Sequence, residues 1–387
     1  MVIVVSAMGK TTNALERLVP GVAEPDEQAI VYKNIVNYHL QIVHHLFPNP
    51  SHSIYATLRR LFAELEKNMA VPATDYNFDY DRIVSFGELV STTIVSAYLN
   101  QCGFENRWVD IRKVIVTDSA HRCAKVDWPS TLANAAFLTD VLGGGSSVVT
   151  QGFVAAAPDG STTTLGREGS DYSAAVLSYL LDAKRMTIWK DVPGFLNADP
   201  KYFPDTVKIE QMPYDEAIEQ AYYGASVIHP KTIKPLQNKQ IPLYIKSFVN
   251  PSAEGSVVGP FQVIRPQIPL YIFKDNQVLV SIMPKDFSFI AEENLQSIFS
   301  ILSQVGVSVN LMQNTALSFS ICMDFNKLLV DRLIALLSND FTVRYNQNMQ
   351  LLTVRHYTQD VIDAMVGGRQ VFLEQRSRTT AQLIVEN

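Results

Sequence analysis

Thr162-Thr163-Thr164-Leu165-Gly166-Arg167-Glu168-Gly169-Ser170-Asp171, running at once into an apolar helical stretch over residues 172–181, decides how this chain is read. Small hydroxyls and glycines let a backbone approach anionic oxygens closely, and the free N–H groups opening the next helix favour negative charge. Arg167 adds a planar fork suited to a carboxylate, and Asp171 a fixed negative charge able to position a lysine or a metal-bound phosphate. Alone, a Gly/Ser/Thr loop of this kind more often means only a capped helix start. Its surroundings say more. Short β-branched runs at Val2-Ile3-Val4-Val5, Val114-Ile115-Val116, Val148-Val149-Thr150 and Met186-Thr187-Ile188 alternate with helical segments. That order predicts an α/β fold with a mostly parallel sheet flanked by helices, in which ligands gather where strands end.

Composition narrows the chemistry. The 387 residues, 47% hydrophobic and 18% charged, suffice for a large core in two or three domains. A net charge of -6 argues against a general polyanion binder, so phosphate chemistry has to rest on a few local cations, and no nucleic-acid partner is expected. Cys102, Cys123 and Cys322 have no metal-ligand spacing and read as reduced, buried filler. The apolar opening, residues 1–5, is too short for a signal h-region and no run approaches a membrane span, so the expected location is cytoplasmic. His44, His45 and His52 flank a Pro48-Asn49-Pro50 break without a carboxylate or cysteine at ligand spacing, and no metal site is predicted.

Further along, amphipathic stretches at 26–47 and 53–68 predict a helical hairpin, and a third helix at 81–102 carries Ser85-Phe86-Gly87-Glu88-Leu89. The prolines at 262–269 mark a domain boundary. Beyond it, a strand from 277, a helix at 292–305, strands at 307–312 and 316–323, a helix at 327–338 and a strand near 342 spell a ferredoxin-like unit, of a size that often dimerises. A shorter echo over 348–387 lacks one helix. Phe287, Phe289 and Phe299 read as packing of the first unit.

A site for a free amino acid needs an anion for the ammonium and a cation for the carboxylate, and Glu88 and Arg167 sit in glycine-flanked segments able to supply them. A second carboxylate that reacts is already ionised near neutral pH, its ordinary pKa being about 4, and calls for no general base. It calls for alignment and positive charge against the repulsion of a triphosphate.

Ser6-Ala7-Met8-Gly9-Lys10-Thr11-Thr12-Asn13, the Ser85–Leu89 segment, Thr150-Gln151-Gly152-Phe153, the Thr162–Asp171 loop, Asp191-Val192-Pro193-Gly194 and Gly224-Ala225-Ser226-Val227-Ile228-His229-Pro230 together resemble aspartate kinase, an amino-acid-kinase fold with C-terminal ACT modules. The resemblance implies ATP-dependent phosphorylation of the side-chain carboxylate of L-aspartate, with Mg-ATP as co-substrate and no tightly bound cofactor, at the entry to lysine, threonine and methionine synthesis. It further implies a catalytic domain over 1–262, ACT modules over 270–347 and 348–387, and a homodimer through those modules. Ser6, Thr12, Glu88, Arg167 and Ser170 match the family's aspartate site, and Asp171 the acidic residue ordering phosphoryl transfer. Lys190, Asp191, Leu196, Lys201, Ser226 and Val227 fall where the family holds ATP, with lysine replacing a common threonine at 190, leucine a tyrosine at 196 and serine a lysine at 226. Lys231 is the candidate to stand in for that lysine. Met283, Ser308, Val309 and Asn310 match an effector site, with asparagine at 310 and alanine at 316 replacing the usual acids, which lowers the expectation of lysine inhibition. Members open with a further strand and a Lys-Phe-Gly-Gly-Thr-type loop that does not precede Val2 here. That departure leaves two expectations, first an incomplete N-terminus of an aspartate kinase and, competing with it, a catalytically silent amino-acid-binding regulatory or scaffold homologue.

Overall fold

The computed structural model describes residues 1–225, 227–286 and 288–387; Ser226 and Phe287, both named above, lie outside the described residues. In chain order the elements are β1 (Val2–Val5), α1 (Thr11–Glu16), α2 (Pro25–Leu46), α3 (Ser53–Met69), α4 (Tyr76–Val84), α5 (Phe86–Gln101), β2 (Asn106–Val109), α6 (Trp128–Ala133), α7 (Ala135–Gly143), β3 (Ser147–Gln151), β4 (Val154–Ala156), β5 (Thr162–Thr164), α8 (Gly169–Leu180), β6 (Met186–Lys190), β7 (Gln211–Pro213), α9 (Tyr214–Tyr223), α10 (Pro230–Asn238), β8 (Leu243–Ser247), β9 (Ser256–Gly259), β10 (Leu270–Pro284), α11 (Glu292–Val305), β11 (Val309–Asn314), β12 (Phe319–Asp324), α12 (Lys327–Leu337), β13 (Phe341–Arg355), α13 (Gln359–Val366), β14 (Val371–Arg376) and β15 (Thr380–Glu386). They form two compact units, residues 1–188 with 228–243 and residues 189–227 with 244–387.

In the first unit β3 lies between β1 and β2 in a parallel sheet, with Val5 opposite Gln151 and Val109 opposite Thr150. Val148, Val149, Thr150 and Gln151 are all fully buried, which is why this central strand shows no alternation of buried and exposed positions. The helical hairpin forms as expected. Pro25 and two acids open α2, and its buried stripe Val31, Ile35, His39, Val43 recurs every helical turn. That stripe shares one core with Leu58 and Leu65 of α3 and with Val90 and Ile94 of α5. His39 is fully buried; its Nδ1 lies 2.8 Å from the Ile35 carbonyl and burial lowers its pKa, so it packs as a neutral ring. His52 caps α3 by accepting from the Ile54 N–H, and His44 bonds the Tyr55 hydroxyl, local structural roles for two of the three candidate histidines.

Several expectations need correction, among them the packing of Phe289, which is exposed. The helix expected over 81–102 is two, α4 and α5, parted at Ser85, whose hydroxyl bonds back to the Arg82 carbonyl, the kind of competition that bends helices. Val114-Ile115-Val116 is not a strand: Asp110 accepts from the Arg112 N–H and starts a 3-10 turn at 111–113, leaving only Val116 bridged to Ala156. Its apolarity reflects burial, with Val114 and Ile115 both fully enclosed. Of the cysteines expected inside, only Cys322 is buried, while Cys102 and Cys123 are exposed.

The second unit holds most of a four-stranded sheet, β6-β8-β9-β7, entered at Trp189 and Tyr244, and a six-stranded sheet in the order β11-β12-β10-β13-β15-β14. Along the six-stranded sheet β10, β11, β12 and β13 give the 2-3-1-4 strand order of a ferredoxin-like fold, with α11 and α12 on the core of Val280, Ile282, Ile298, Leu333 and Ile321. The strands expected separately near 342 and 351 are one continuous β13. Its second half pairs with β15 on one side and with Leu270–Lys274 of β10 on the other. The echo thus takes its fourth strand from upstream sequence, which is why it reads as shortened.

Candidate functional site

Glu88, Ser6 and Ser170 are brought together by close backbone approaches at the carboxyl ends of β1 and β3, inside the first unit. A Cβ at Gly87 would come 2.9 Å from the Ala7 Cβ, so glycine there lets the first turn of α5 lie against the turn following β1. Glu88 follows, 3% exposed, with Oε1 accepting from the Ala7 N–H at 3.2 Å. Its Oε2 is buried with no hydrogen-bond partner among the described residues. Burial, only partly offset by the backbone N–H, raises the carboxyl to about 7. Behind it, Thr92 Oγ1 donates to the Glu88 carbonyl at 2.7 Å and accepts from Gln151 Nε2 at 2.8 Å and Trp108 Nε1 at 2.9 Å. Ser91 Oγ donates to the Ser6 carbonyl at 2.7 Å. The turn carrying Ser6 and the helix carrying Glu88 are therefore locked together.

Gly152 brings in the glycine-rich loop. Its N–H donates to the Val5 carbonyl at 3.1 Å, and a Cβ on it would lie 2.4 Å from the Ser170 Cβ. Ser170 in the first turn of α8 thus sits directly on the end of β3, next to the end of β1. The loop is turned by Gly166 at φ +72° and by Glu168, a left-handed residue at φ +53° that caps α8. Its base is fixed by Asp81, which is fully buried and accepts from the Thr164 N–H at 3.0 Å and hydroxyl at 2.5 Å, the Arg122 N–H at 2.9 Å and His121 Nδ1 at 3.1 Å. Burial raises the Asp81 pKa against those donors. Arg167 is exposed on the loop, and Asp171 is half-buried in the first turn of α8 and is partnered. Thr12 is half-buried on α1.

Lys231, in the first turn of α10, reaches the same loop. Its Nζ donates to the Leu165 carbonyl at 2.8 Å and sits 5.5 Å from the Tyr172 ring centre, while burial lowers its pKa against the pull of Cys123 and Glu168. His229 caps α10, its Nδ1 accepting from the Lys231 N–H at 3.2 Å, and burial, then the Lys231 and Arg167 charges, lower its pKa. Sequence reasoning missed Asp81, Thr92 and Gln151; Gly87 before Glu88 and Gly152 after Gln151 were the available signal.

The remaining candidates belong to the second unit. Lys190 ends β6 and its ammonium donates to the Val227 carbonyl; Asp191 follows, exposed. Leu196 is half-buried, bridged to Lys208. Lys201 is exposed, 3.5 Å from Asp275 Oδ2. Met283 lies on β10, separated by β12 from Ser308 and from Val309 and Asn310 on β11. Among the described residues no group of three or more His, Cys, Asp or Glu side chains is placed to hold a metal ion, and no helix is long and apolar enough to cross a membrane.

A sequence profile of the amino acid kinase family matches residues 1–247. Lysine-sensitive aspartokinase 3 of Escherichia coli (strain K12) is 33% identical over 330 residues, covering 83% of this chain and 71% of that protein. The chloroplastic aspartokinase 1 of Arabidopsis thaliana is 30% identical over 84% of this chain, which spans 58% of that relative. Among solved structures, E. coli aspartokinase III in complex with aspartate and ADP (R-state) superposes with a TM-score of 0.84 at 26% identity, over 100% of this chain and 89% of that one. The same enzyme in complex with lysine and aspartate (T-state) gives 0.83 at 27% identity, with the same coverage.

Proposed function

The chain belongs to the aspartate kinases of the amino acid kinase family, and from that premise we propose that it transfers the γ-phosphoryl group of Mg-ATP to the side-chain carboxylate of L-aspartate, giving 4-phospho-L-aspartate for lysine, threonine and methionine synthesis. One observation carries the reading: Glu88 is a buried carboxylate with an unpartnered oxygen at the ends of β1 and β3, beside the Ser6 turn and the Ser170 helix start. A substrate ammonium satisfies that oxygen and makes ionisation of Glu88 favourable. Arg167 pairs with the α-carboxylate, and Ser6, Thr12 and Ser170 supply hydroxyls to the remaining oxygens. The reacting carboxylate attacks the γ-phosphorus as the anion, the bond to the β,γ-bridging oxygen breaks, and ADP leaves with that electron pair.

Repulsion between the two anions is the barrier, so cations decide the rate. Lys231 brings one to the Leu165 end of the loop; Asp171 orders the transfer site. Lys190, Asp191, Leu196, Lys201, Ser226 and Val227 are assigned to the nucleotide, the magnesium arriving with it. Residues 1–262 are assigned as the catalytic domain, 270–347 and 348–387 as ACT modules through which the chain dimerises, and the cytoplasm as its location. Met283, Ser308, Val309 and Asn310 are the assigned effector positions.

ATP- and aspartate-dependent hydroxamate formation in the presence of hydroxylamine tests the reaction. Arg167→Ala should mainly raise the aspartate KM and Asp171→Ala mainly lower kcat. Equal, negligible effects of both substitutions would refute the assignment.

A further inference from the structure

The long strand β10 is broken between Lys274 and Gln277, where its pairing with β13 slips and Asn276 takes φ +55°. The slip sends neighbouring side chains to different partners, all within the second unit. Lys274 lays its stem over Gly224 at the end of α9, where a Cβ would come 2.6 Å from Lys274 Cε and φ is +117°. Its ammonium donates to Asn310 Oδ1 at 2.9 Å. Asn310 Nδ2 in turn donates to Gln277 Oε1 at 2.8 Å and Asp324 Oδ1 at 2.9 Å. Asp275 accepts from the Tyr202 hydroxyl and from Gln350 Nε2 at 2.6 Å, and Gln350 Oε1 accepts from Arg369 at 2.9 Å. Tyr202, beside Lys201, stacks on Phe273 with ring centres 4.6 Å apart.

We infer that Lys274 and Asp275 are positioning residues for nucleotide binding, coupling the polar contacts of the six-stranded sheet to the segments that carry Lys201 and Gly224. The inference rests on the assignment of Lys190, Lys201 and Val227 to the nucleotide. Lys274 has both ends committed, its ammonium on Asn310 and its Cε packed over Gly224, so that one side chain joins β11 to the end of α9. From Gly224 the chain runs on to Val227, whose carbonyl takes the Lys190 ammonium. Asp275 does the same for the other segment, holding Tyr202 and drawing Lys201 toward the sheet.

Lys274→Met keeps the stem and removes the ammonium. Titrated calorimetrically with Mg-ATP and separately with aspartate, it should bind nucleotide roughly 3- to 10-fold more weakly with aspartate affinity within about 2-fold of the parent. Lys274→Arg, which restores a donor to Asn310, should recover most of the loss. Hydrogen exchange of residues 214–225 in the nucleotide-free protein should quicken in Lys274→Met. Unchanged nucleotide affinity, or equal loss of both affinities together with a general fall in Tm, overturns the inference. If the parent binds no Mg-ATP, the nucleotide assignment fails, and exchange over 214–225 decides the positioning role alone: unaltered rates in Lys274→Met overturn it.

Discussion

Replacing Glu88 by glutamine should make the protein more stable and less able to bind substrate. Burial raises the Glu88 carboxyl from 4.5 to about 7, so the folded state binds this proton more tightly than the unfolded chain does. Its contribution to stability is then fully present below the unfolded value and is lost as pH rises through the folded one. Each pKa unit carries about 1.4 kcal/mol, so ionising Glu88 in the empty site costs about 3 kcal/mol at mildly alkaline pH. A glutamine amide cannot ionise and keeps an acceptor facing the Ala7 N–H, so Glu88→Gln should gain about 2 to 3 kcal/mol over the parent near pH 8.5 and almost nothing near pH 5. Urea unfolding of both proteins across that range measures the difference. Aspartate binding should move the other way: in the parent the KM falls as pH rises through about 7, because only the carboxylate pairs with an ammonium, and in the variant that dependence disappears while KM rises by roughly 10-fold or more. A variant less stable than the parent at alkaline pH, or with an aspartate KM like the parent's, would show that Glu88 is structural and the orphan oxygen has no ligand.

Three other outcomes are expected. Gly152→Ala forces a methyl to within 2.4 Å of the Ser170 Cβ; it should cost about 1 to 3 kcal/mol and raise the aspartate KM, and a normal KM would take Ser170 out of the site. Lys231→Met keeps the stem beside Tyr172 but removes the ammonium from the Leu165 carbonyl; kcat or ATP affinity should fall roughly 10-fold or more, and steady-state kinetics indistinguishable from the parent's would discard Lys231 as the substitute cation. In the second unit, burial pushes Glu216 up, but His356 and Arg355 hydrogen bonds overcome it and hold the carboxyl at about 2. That stability is present above the ordinary carboxylate pKa and lost as pH falls toward about 2. Arg355→Met, which strands the buried Glu216, should cost about 3 to 5 kcal/mol, whereas a Glu216→Leu, Arg355→Met double variant should recover much of it in thermal unfolding.

The sequence made the helical hairpin and the ferredoxin-like order legible because both rest on periodicity: α2 repeats a buried residue each turn, and β10 to β13 alternate with α11 and α12. It misled where burial and conformation part company. Val114 and Ile115 are apolar because they are enclosed, not because they are extended, and the Asp110 side chain sets the turn before them. The shared β13 was hidden for another reason: a strand that serves two modules has no turn between its halves to mark the join. At the site, the acids and the arginine stood out as residue types beside glycines. The long-range supports did not, because Asp81 lies 83 positions from Thr164 and Gln151 lies 59 from Thr92, the groups they bond, while Thr92 reads as an ordinary helix hydroxyl one turn from Glu88. No local pattern encodes such pairings.

Glu88 also bears on whether this first-unit arrangement is a site or merely an unusual core. A structural role for an acid at 3% exposure predicts full hydrogen bonding, as Asp81 displays with four donors from Thr164, Arg122 and His121. The two acids sit in the same unit, are comparably enclosed, and differ in this one respect. Glu88 has a single N–H, while the groups around it, Thr92 and Gln151, spend their donors on its backbone and on each other. Two glycines, at 87 and 152, draw a strand end and a helix start to that half-satisfied acid where larger residues would keep them apart. Folding alone gains nothing from leaving one carboxylate oxygen unsatisfied beside the Ser6 turn and the Ser170 helix start. A cationic substrate group arriving at the free oxygen would turn the same cost into binding energy, and that difference is the physical ground for the proposed reading of the arrangement as a receptor for an amino acid.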